Sequence, residues 1–407
     1  MNDPVPRCID TLATAQALRQ AIILLTAGNG YMTIGHPAMK FSVGHLVCSI
    51  SGESRIVEDF KRAVSFAAVD SPDVDIAFEF SGELPLWRER EFVSLDNFDI
   101  ASDRIRVTDR TFVCEAAMAE KPIRVLVAPA GNGLLRKIHH TVKKTWRYFH
   151  THGRSASIYY VKRFVYYIYM PMIQLALLRK GASLAHCSAI EKNGRAVIFP
   201  AWGGVGKTSI MSRFLDEGWR FISDDSSVIC DDGSVFTHPL PMHIYKYHEK
   251  QSSGLVARML ENSPLTDRLL WRGLSLFKKP DTLVRWVPPE KVFGFEKLCE
   301  SANIGRVVHL HRAEGLANFR VETVMPAELA KVMASTIMDE INGLSSIAIA
   351  VNSVQVSSII PDISQVFGKI ADIYSMAFSS ASCYMVTLPS SSNADDLYKF
   401  LVEKKLV

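Results

Sequence analysis

One short loop constrains this chain more than any other feature. Residues 203–208 read GGVGKT, after the apolar run AVIFP and before KTSIMSRFLDEG, whose apolar residues repeat with helical spacing. Glycines between a strand and a helix let backbone N–H groups approach phosphate oxygens closely, and a helix N-terminus adds partial positive charge. The loop therefore predicts a phosphate-binding site in an α/β domain.

The motif assigns particular residues to this site. Lys207 is expected to reach the β- and γ-phosphates of a nucleotide, and the Thr208 hydroxyl is expected to bind Mg²⁺. Ala201 occupies the first position of the pattern G-x-x-x-x-G-K-[ST]. The predicted cofactors are ATP and Mg²⁺. The predicted cofactor-binding residues are Gly203, Gly204, Val205, Gly206, Lys207, Thr208 and Ser209.

Two adjacent aspartates lie close to this motif along the chain. Asp224 and Asp225 follow RFIS, a short run typical of a strand. Phosphoryl transfer needs a metal ion on the phosphates and a group that receives the proton of the acceptor hydroxyl. Adjacent carboxylates at the end of a strand are able to divide these tasks. The alternative interpretation is a polar turn.

A histidine lies before the glycine-rich loop along the chain. His186 stands before CSAIEKNGRAVIFP, which is typical of a hairpin with Asn193-Gly194 as its turn. Pairing of these strands would bring His186 near Asp224 or near the transferred phosphate. A histidine buried in the core is the alternative.

The order of these features along the chain resembles that of the HPr kinase/phosphorylase family, which shares a fold with phosphoenolpyruvate carboxykinase. The features are the histidine, the hairpin, the glycine-rich loop, the helix, Gly218 and the acidic doublet. The resemblance covers about residues 184–225 and implies a P-loop nucleotide domain of that type. It implies catalytic roles for Lys207, Asp224 and His186. It also implies that one aspartate binds the metal ion together with Thr208. We assign Asp225 as the metal ligand and Asp224 as the catalytic base.

The segment downstream of the doublet differs from that family. Residues 237–250 read THPLPMHIYKYHEK, where true HPr kinases carry a Glu-Ile-Arg-Gly stretch. HPr is therefore not the predicted substrate. We predict a kinase that phosphorylates a hydroxyl group, either on a peptide or protein serine or on a small metabolite. The alternative function is a regulatory or scaffolding protein that binds nucleotide without transferring phosphate.

Length and patterning predict more than one domain. The chain has 407 residues, 48% of them hydrophobic, which is enough for two packed regions. Short strands and one or two helices predict a small α+β accessory domain over residues 1–133. A basic, aromatic stretch predicts a helical linker over residues 134–157. The nucleotide-binding domain is expected over residues 158–407.

The charge balance and the cysteine pattern limit which partners and which cellular compartment the sequence predicts. The 46 basic and 42 acidic residues nearly balance, so nucleic acid is not an expected partner. The seven cysteines are scattered singly, which favours a reducing compartment and predicts a cytoplasmic protein. The N-terminus has no basic region typical of a signal peptide.

Residues 158–178 are the one stretch that resembles a membrane span. Lys162, Arg163 and Pro171 interrupt it, so a buried helix is the prediction. Peripheral membrane contact through residues 134–178 and a homo-oligomer stay open as alternatives.

Overall fold

Two β-sheets with helices packed between and around them make up the fold. A computed structural model describes residues 38–84, 92–95, 97–130, 157–354 and 359–407. The α/β class predicted from the sequence is confirmed. The domain boundaries stay predictions, and most of the proposed linker lies outside the described residues.

The first sheet has eight strands in the order β1-β2-β3-β8-β7-β6-β5-β4. Strands β2, β3 and β8 are parallel neighbours, and the remaining pairs are antiparallel. Helix α1, Arg55–Ala63, follows β2 and begins at Ser54, whose hydroxyl accepts from the Ile56 N–H. The strands are β1 Met39–Val43, β2 Leu46–Ser51, β3 Ile76–Phe80, β4 Val93–Leu95, β5 Phe98–Ile100, β6 Arg104–Thr108, β7 Phe112–Ala117 and β8 Ile123–Pro129.

Helix α2 packs against both sheets. It runs through Ser157–Phe164, the π-helical turn Val165–Tyr169 and Met170–Leu178. Every residue of the last segment is buried, as expected for a helix that is apolar on all sides. The buried-helix prediction is therefore confirmed for this segment. None of the helices in the described ranges has the length and apolar character needed to cross a bilayer.

The second sheet carries the loop singled out in the sequence. Its main path is β12-β10-β11-β17-β14-β13-β9, with β19 parallel to β17 and β18 antiparallel to β19. A two-stranded sheet, β15-β16, lies apart. The strands are β9 Ala182–Ala185, β10 Cys187–Lys192, β11 Arg195–Pro200, β12 Arg220–Ser223, β13 Ser227–Cys230, β14 Ser234–Thr237, β15 Met242–Tyr245, β16 Val284–Val287, β17 Ser301–Ala313, β18 Arg320–Thr323 and β19 Ser382–Pro389.

The two faces of the second sheet bury separate cores. Along β11, Ala196 and Ile198 join the core shared with α2 and the first sheet, while Val197 and Phe199 join a core on the opposite face. This alternation follows from the two-residue period of a strand. The remaining helices are α3 Lys207–Asp216, α4 His248–Gln251, α5 Ser253–Glu261, α6 Leu265–Phe277, α7 Glu290–Phe293, α8 Pro326–Glu340, α9 Asn342–Val354, α10 Ile363–Ala377 and α11 Ala394–Glu403.

The packing of α2 yields a stability prediction. The buried Phe164 ring lies 5.4 Å from the Phe60 ring and 5.7 Å from the Phe78 ring, centroid to centroid. We expect Phe164→Ala to lower the free energy of unfolding by about 3–5 kcal/mol, because it leaves a cavity between α2 and the first sheet. Urea denaturation measures this loss.

Tyr167→Ala is the matched control in the same helix. The Tyr167 side chain is 40% exposed and stacks on the Arg163 guanidinium, so its loss should cost about 1 kcal/mol or less. Equal and small losses in the two variants would contradict the proposed role of α2 in the core.

Candidate active site

The glycine-rich loop lies between a strand and a helix, as predicted. Ala201 forms an isolated parallel bridge with Leu310 at the end of β11, and α3 begins at Lys207. Gly204 and Gly206 have φ angles of 79° and 110°, which residues with a Cβ rarely adopt.

The loop presents open backbone to its surroundings. A Cβ added to Gly203 or Gly204 would meet no atom within 4 Å. No side chain caps the N-terminus of α3, so the first backbone N–H groups of that helix have no intrahelical acceptor. This arrangement fits an anion such as a phosphate group.

Lys207 is buried at the base of the loop. Its ammonium donates to the carbonyl oxygens of Ala201 at 2.7 Å and Trp202 at 3.2 Å, and its Nζ lies 2.7 Å from His186 Nε2. Burial lowers the pKa of Lys207, and the nearby charges of Asp225 and Asp224 oppose this effect. The Lys207 side chain is therefore held directly behind the loop by three hydrogen-bond partners.

Asp224 follows β12 and faces the helix that begins at the loop. Its Oδ1 accepts from the Ser188 hydroxyl at 2.7 Å, and the Thr208 hydroxyl lies 3.1 Å from each carboxylate oxygen. Burial raises the pKa of Asp224 to about 6, and the charge of Asp225 adds to this effect. The pairing differs from the sequence assignment, which joined Thr208 with Asp225 on a metal ion.

Asp225 turns toward the other side of the site. Its φ angle is 69°, a left-handed conformation that aspartate tolerates better than most residues. Its Oδ2 lies 3.3 Å from His243 Nδ1, and its Oδ1 lies 3.7 Å from His186 Nδ1. Burial would raise the pKa of Asp225, but the hydrogen bond from His243 and the charges around it lower the pKa well below its usual range.

His186 connects Lys207 with the acidic doublet. Burial and the charge of Lys207 lower the pKa of His186 to about 4, so the imidazole is neutral near pH 7. Because an ammonium group donates, His186 Nε2 accepts from Lys207, and the ring proton is assigned to Nδ1. Nδ1 faces Asp225 and lies 4.0 Å from Glu340 Oε2. His186 is therefore a buried histidine that also lies within the site.

The loop glycines, Lys207, Thr208 and both aspartates line one cavity of about 270 Å³, and His186 is not among its lining residues. A narrow recess of about 20 Å³ adjoins the aspartates on the side of Glu340 and Trp286. The residues that line the cavity are Gly203, Gly204, Gly206, Lys207, Thr208, Asp224, Asp225, His243, Tyr245, Tyr247 and His248.

Two predicted nucleotide contacts have other partners. The Val205 carbonyl accepts from Arg312 at 3.2 Å, and the Ser209 hydroxyl donates to Gln251 at 3.1 Å. Neither Val205 nor Ser209 belongs to the residues that line the cavity. As the third residue of α3, Ser209 still contributes one of the uncapped N–H groups.

The sequence interpretation missed four side chains at this site. Tyr245, Tyr247 and His248 line the cavity, and His243 contacts Asp225. All four belong to the THPLPMHIYKYHEK segment, which carries no recognisable motif. Only the path of the chain through β15 brings them to the loop.

Among the described residues, no group of three or more histidine, cysteine, aspartate or glutamate side chains is arranged to hold a metal ion. Mg²⁺ commonly takes only one or two carboxylates and completes its shell with water and phosphate oxygens. The Thr208 hydroxyl and the Asp224 carboxylate fit that requirement.

Comparison with known proteins does not identify a family. No protein-family model matches the chain, and no curated protein matches it. One solved structure that matches is described as the Hpr(Ser) kinase/phosphatase from Coxiella burnetii. It is 8% identical, the match covers 55% of this chain and 97% of that chain, and the TM-score is 0.27. A TM-score of this size does not show a common fold, so the functional argument rests on the site itself.

The raised pKa of Asp224 yields a prediction about stability. Because this pKa rises from 3.8 to about 6, ionising the buried carboxyl group costs free energy above pH 6 and costs nothing below about pH 4. We expect Asp224→Asn to be more stable than the wild type near pH 7.5, by up to about 3 kcal/mol. The difference should disappear near pH 4. Urea denaturation at the two pH values measures it.

Asp232→Asn is the matched control, in the turn between β13 and β14. Hydrogen bonds from Ser234 lower the pKa of Asp232, so this variant should not gain stability near pH 7.5. A stability difference for Asp224→Asn that is the same at both pH values would contradict the raised pKa of Asp224.

Proposed function

We propose that the chain is an ATP-dependent, Mg²⁺-requiring kinase that phosphorylates a hydroxyl group. One observation carries the proposal: a buried ammonium, open glycine backbone and a hydroxyl–carboxylate pair line the same cavity. Each feature suits one part of a magnesium nucleotide. The order of these parts along the chain also supports a nucleotide domain of the HPr kinase/phosphoenolpyruvate carboxykinase type.

The loop would hold the phosphates through its backbone and Lys207. The uncapped N–H groups of Lys207, Thr208 and Ser209 supply donors, and the open faces of Gly203 and Gly204 leave room for close approach. The Lys207 ammonium already lies behind the loop, so little reorganisation is needed when negative charge arrives. Bound magnesium nucleotide would supply the phosphoryl group and neutralise its oxygens.

We propose roles for the two aspartates that reverse the sequence assignment. Thr208 lies beside Asp224, so these two side chains would hold Mg²⁺. Both aspartates border the cavity and the recess, but Asp224 is buried whereas the Asp225 side chain is 37% exposed. Asp225 would orient the acceptor hydroxyl and receive its proton. The low pKa of Asp225 is compatible with this role, because a loose transition state leaves little work for a strong base.

His186 and His243 would position Asp225. They contact different oxygens of its carboxylate, which fixes the orientation of the group despite its left-handed backbone. His186 also contacts Lys207. It therefore couples the position of the phosphate-binding ammonium to the position of the proposed base, as a positioning residue.

The acceptor would enter beside Asp225. The cavity wall there includes Tyr245 and Tyr247, and the adjoining recess includes Tyr166, Trp286 and Glu340. Such a wall accepts an apolar or planar group next to the hydroxyl. A serine in a peptide or protein and a small hydroxylated metabolite both remain within the proposal.

A set of variants tests the proposal and the division of roles. We expect Lys207→Ala to weaken ATP binding at least tenfold, since it removes the only buried cation among the residues that line the cavity. Asp225→Asn should leave ATP binding within a few-fold and lower phosphate transfer by about 10²–10⁴-fold. Asp224→Asn should raise the Mg²⁺ concentration needed for half-maximal transfer. Calorimetry measures binding, and mass spectrometry of a peptide and metabolite pool incubated with labelled ATP measures transfer.

Asp232→Asn is again the control, and it should match the wild type in both assays. Binding of ATP without transfer to any acceptor and without hydrolysis would favour the regulatory alternative. A Mg²⁺ requirement that changes in Asp225→Asn and not in Asp224→Asn would restore the original assignment of the aspartates.

A further inference from the structure

The outer face of α6 exposes an unusual amount of apolar surface. Leu265, Leu269, Leu276 and Phe277 are 68%, 58%, 80% and 87% exposed. Leu265, Leu269 and Leu276 are separated by four and seven positions and so share one side of the helix. At 1.5 Å per residue, the 13 residues of α6 span about 20 Å. A stripe of large apolar residues on a soluble surface marks an interaction site.

The opposite face of α6 is anchored in the protein. Trp271 is 1% exposed, and its indole N–H donates to Glu249 Oε1 at 2.8 Å. Lys246 Nζ donates to the carbonyl oxygen of Ser275 near the end of the helix. The orientation of α6 is therefore set by its packing, and the apolar stripe faces outward because the other face is already occupied.

Basic residues accompany the stripe. Residues 265–281 contain four basic residues, Arg268, Arg272, Lys278 and Lys279, and two acidic residues, Asp267 and Asp281, which gives a net charge of +2. Arg272 lies within the exposed side of the helix, and Lys279 is exposed just beyond its end. Helices that lie in the surface of an anionic bilayer combine leucine and phenylalanine with neighbouring lysine and arginine.

We propose that the outer face of α6 docks on an anionic lipid surface. The apolar side chains would enter the boundary between headgroups and acyl chains, while Arg272 and Lys279 would contact lipid phosphates. This surface is separate from the phosphate loop and does not depend on the proposed phosphotransfer. It adjoins the cavity wall through Lys246, which lies between Tyr245 and Tyr247 and contacts α6.

Vesicle flotation with the full chain tests the proposal. Vesicles of phosphatidylcholine with about 30% phosphatidylglycerol should carry the wild type to the top of the gradient, and vesicles of phosphatidylcholine alone should carry much less. High salt should weaken the binding, because the basic residues contribute electrostatically. The double variant Leu269→Glu/Leu276→Glu should lower the partition coefficient at least tenfold, since it removes apolar contact and adds like charge to the lipid.

Met376→Glu is a closely matched control. Met376 is 57% exposed against 58% for Leu269, and it lies on α10. This variant should bind vesicles as the wild type does, and all variants should keep the wild-type melting temperature. Absence of wild-type binding, or equal binding of the double variant, would overturn the proposal. So would a wild-type dimer in sedimentation that the double variant abolishes, because the occupant would then be a second copy.

Discussion

The site depends on the buried ammonium of Lys207. A charge removed from water is tolerated only when partners replace its hydration, and an unpaired buried charge costs several kcal/mol. Lys207 meets this demand with two carbonyl oxygens of its own loop and the imidazole of His186. The loop must therefore curl around the side chain, and glycines at positions 204 and 206 permit the left-handed turns that this path requires. The first backbone N–H groups of α3, which no side chain caps, are available to face a ligand.

Strand register brings the rest of the site to this ammonium. Asn193 and Gly194 form a two-residue turn with φ angles of 55° and 77°. This turn sets the register of the hairpin, in which Cys187 pairs with Pro200. His186 is therefore placed beside Ala201, at the start of the loop. On the other edge of β10, Ala189 pairs with Ser223, which brings Ser188 next to the first aspartate. Three strands with fixed register thus assemble the loop, the histidine and the doublet.

This assembly explains which features were predictable from the sequence. The hairpin, the loop and the helix are local, and each carries its own signal in glycine, turn residues or apolar spacing. His243 comes from a segment without such a signal, and Glu340 ends a helix whose apolar spacing does not show that it reaches the site. The sequence also could not show which of the two adjacent aspartates faces Thr208, because successive side chains at a strand end point in opposite directions. The left-handed φ of Asp225 changes that direction further. The packing of α2 against both sheets also depends on tertiary contacts, so the sequence pattern does not show which elements this helix meets.

The two aspartates show how neighbouring residues acquire different chemistry. Asp224 is buried beside hydroxyl groups, and its pKa of about 6 makes its charge sensitive to the surroundings near neutral pH. Burial would raise the pKa of Asp225, but the hydrogen bond from His243 and the nearby charge of Lys207 lower it and keep the carboxylate ionised. On the proposed function, a divalent cation at Asp224 would lower the pKa of that residue and release its proton. Ionisation of Asp224 would then accompany cation binding, while Asp225 would be ready for the acceptor at any physiological pH. One strand end can therefore provide both a metal ligand that responds to the cation and a permanently charged carboxylate.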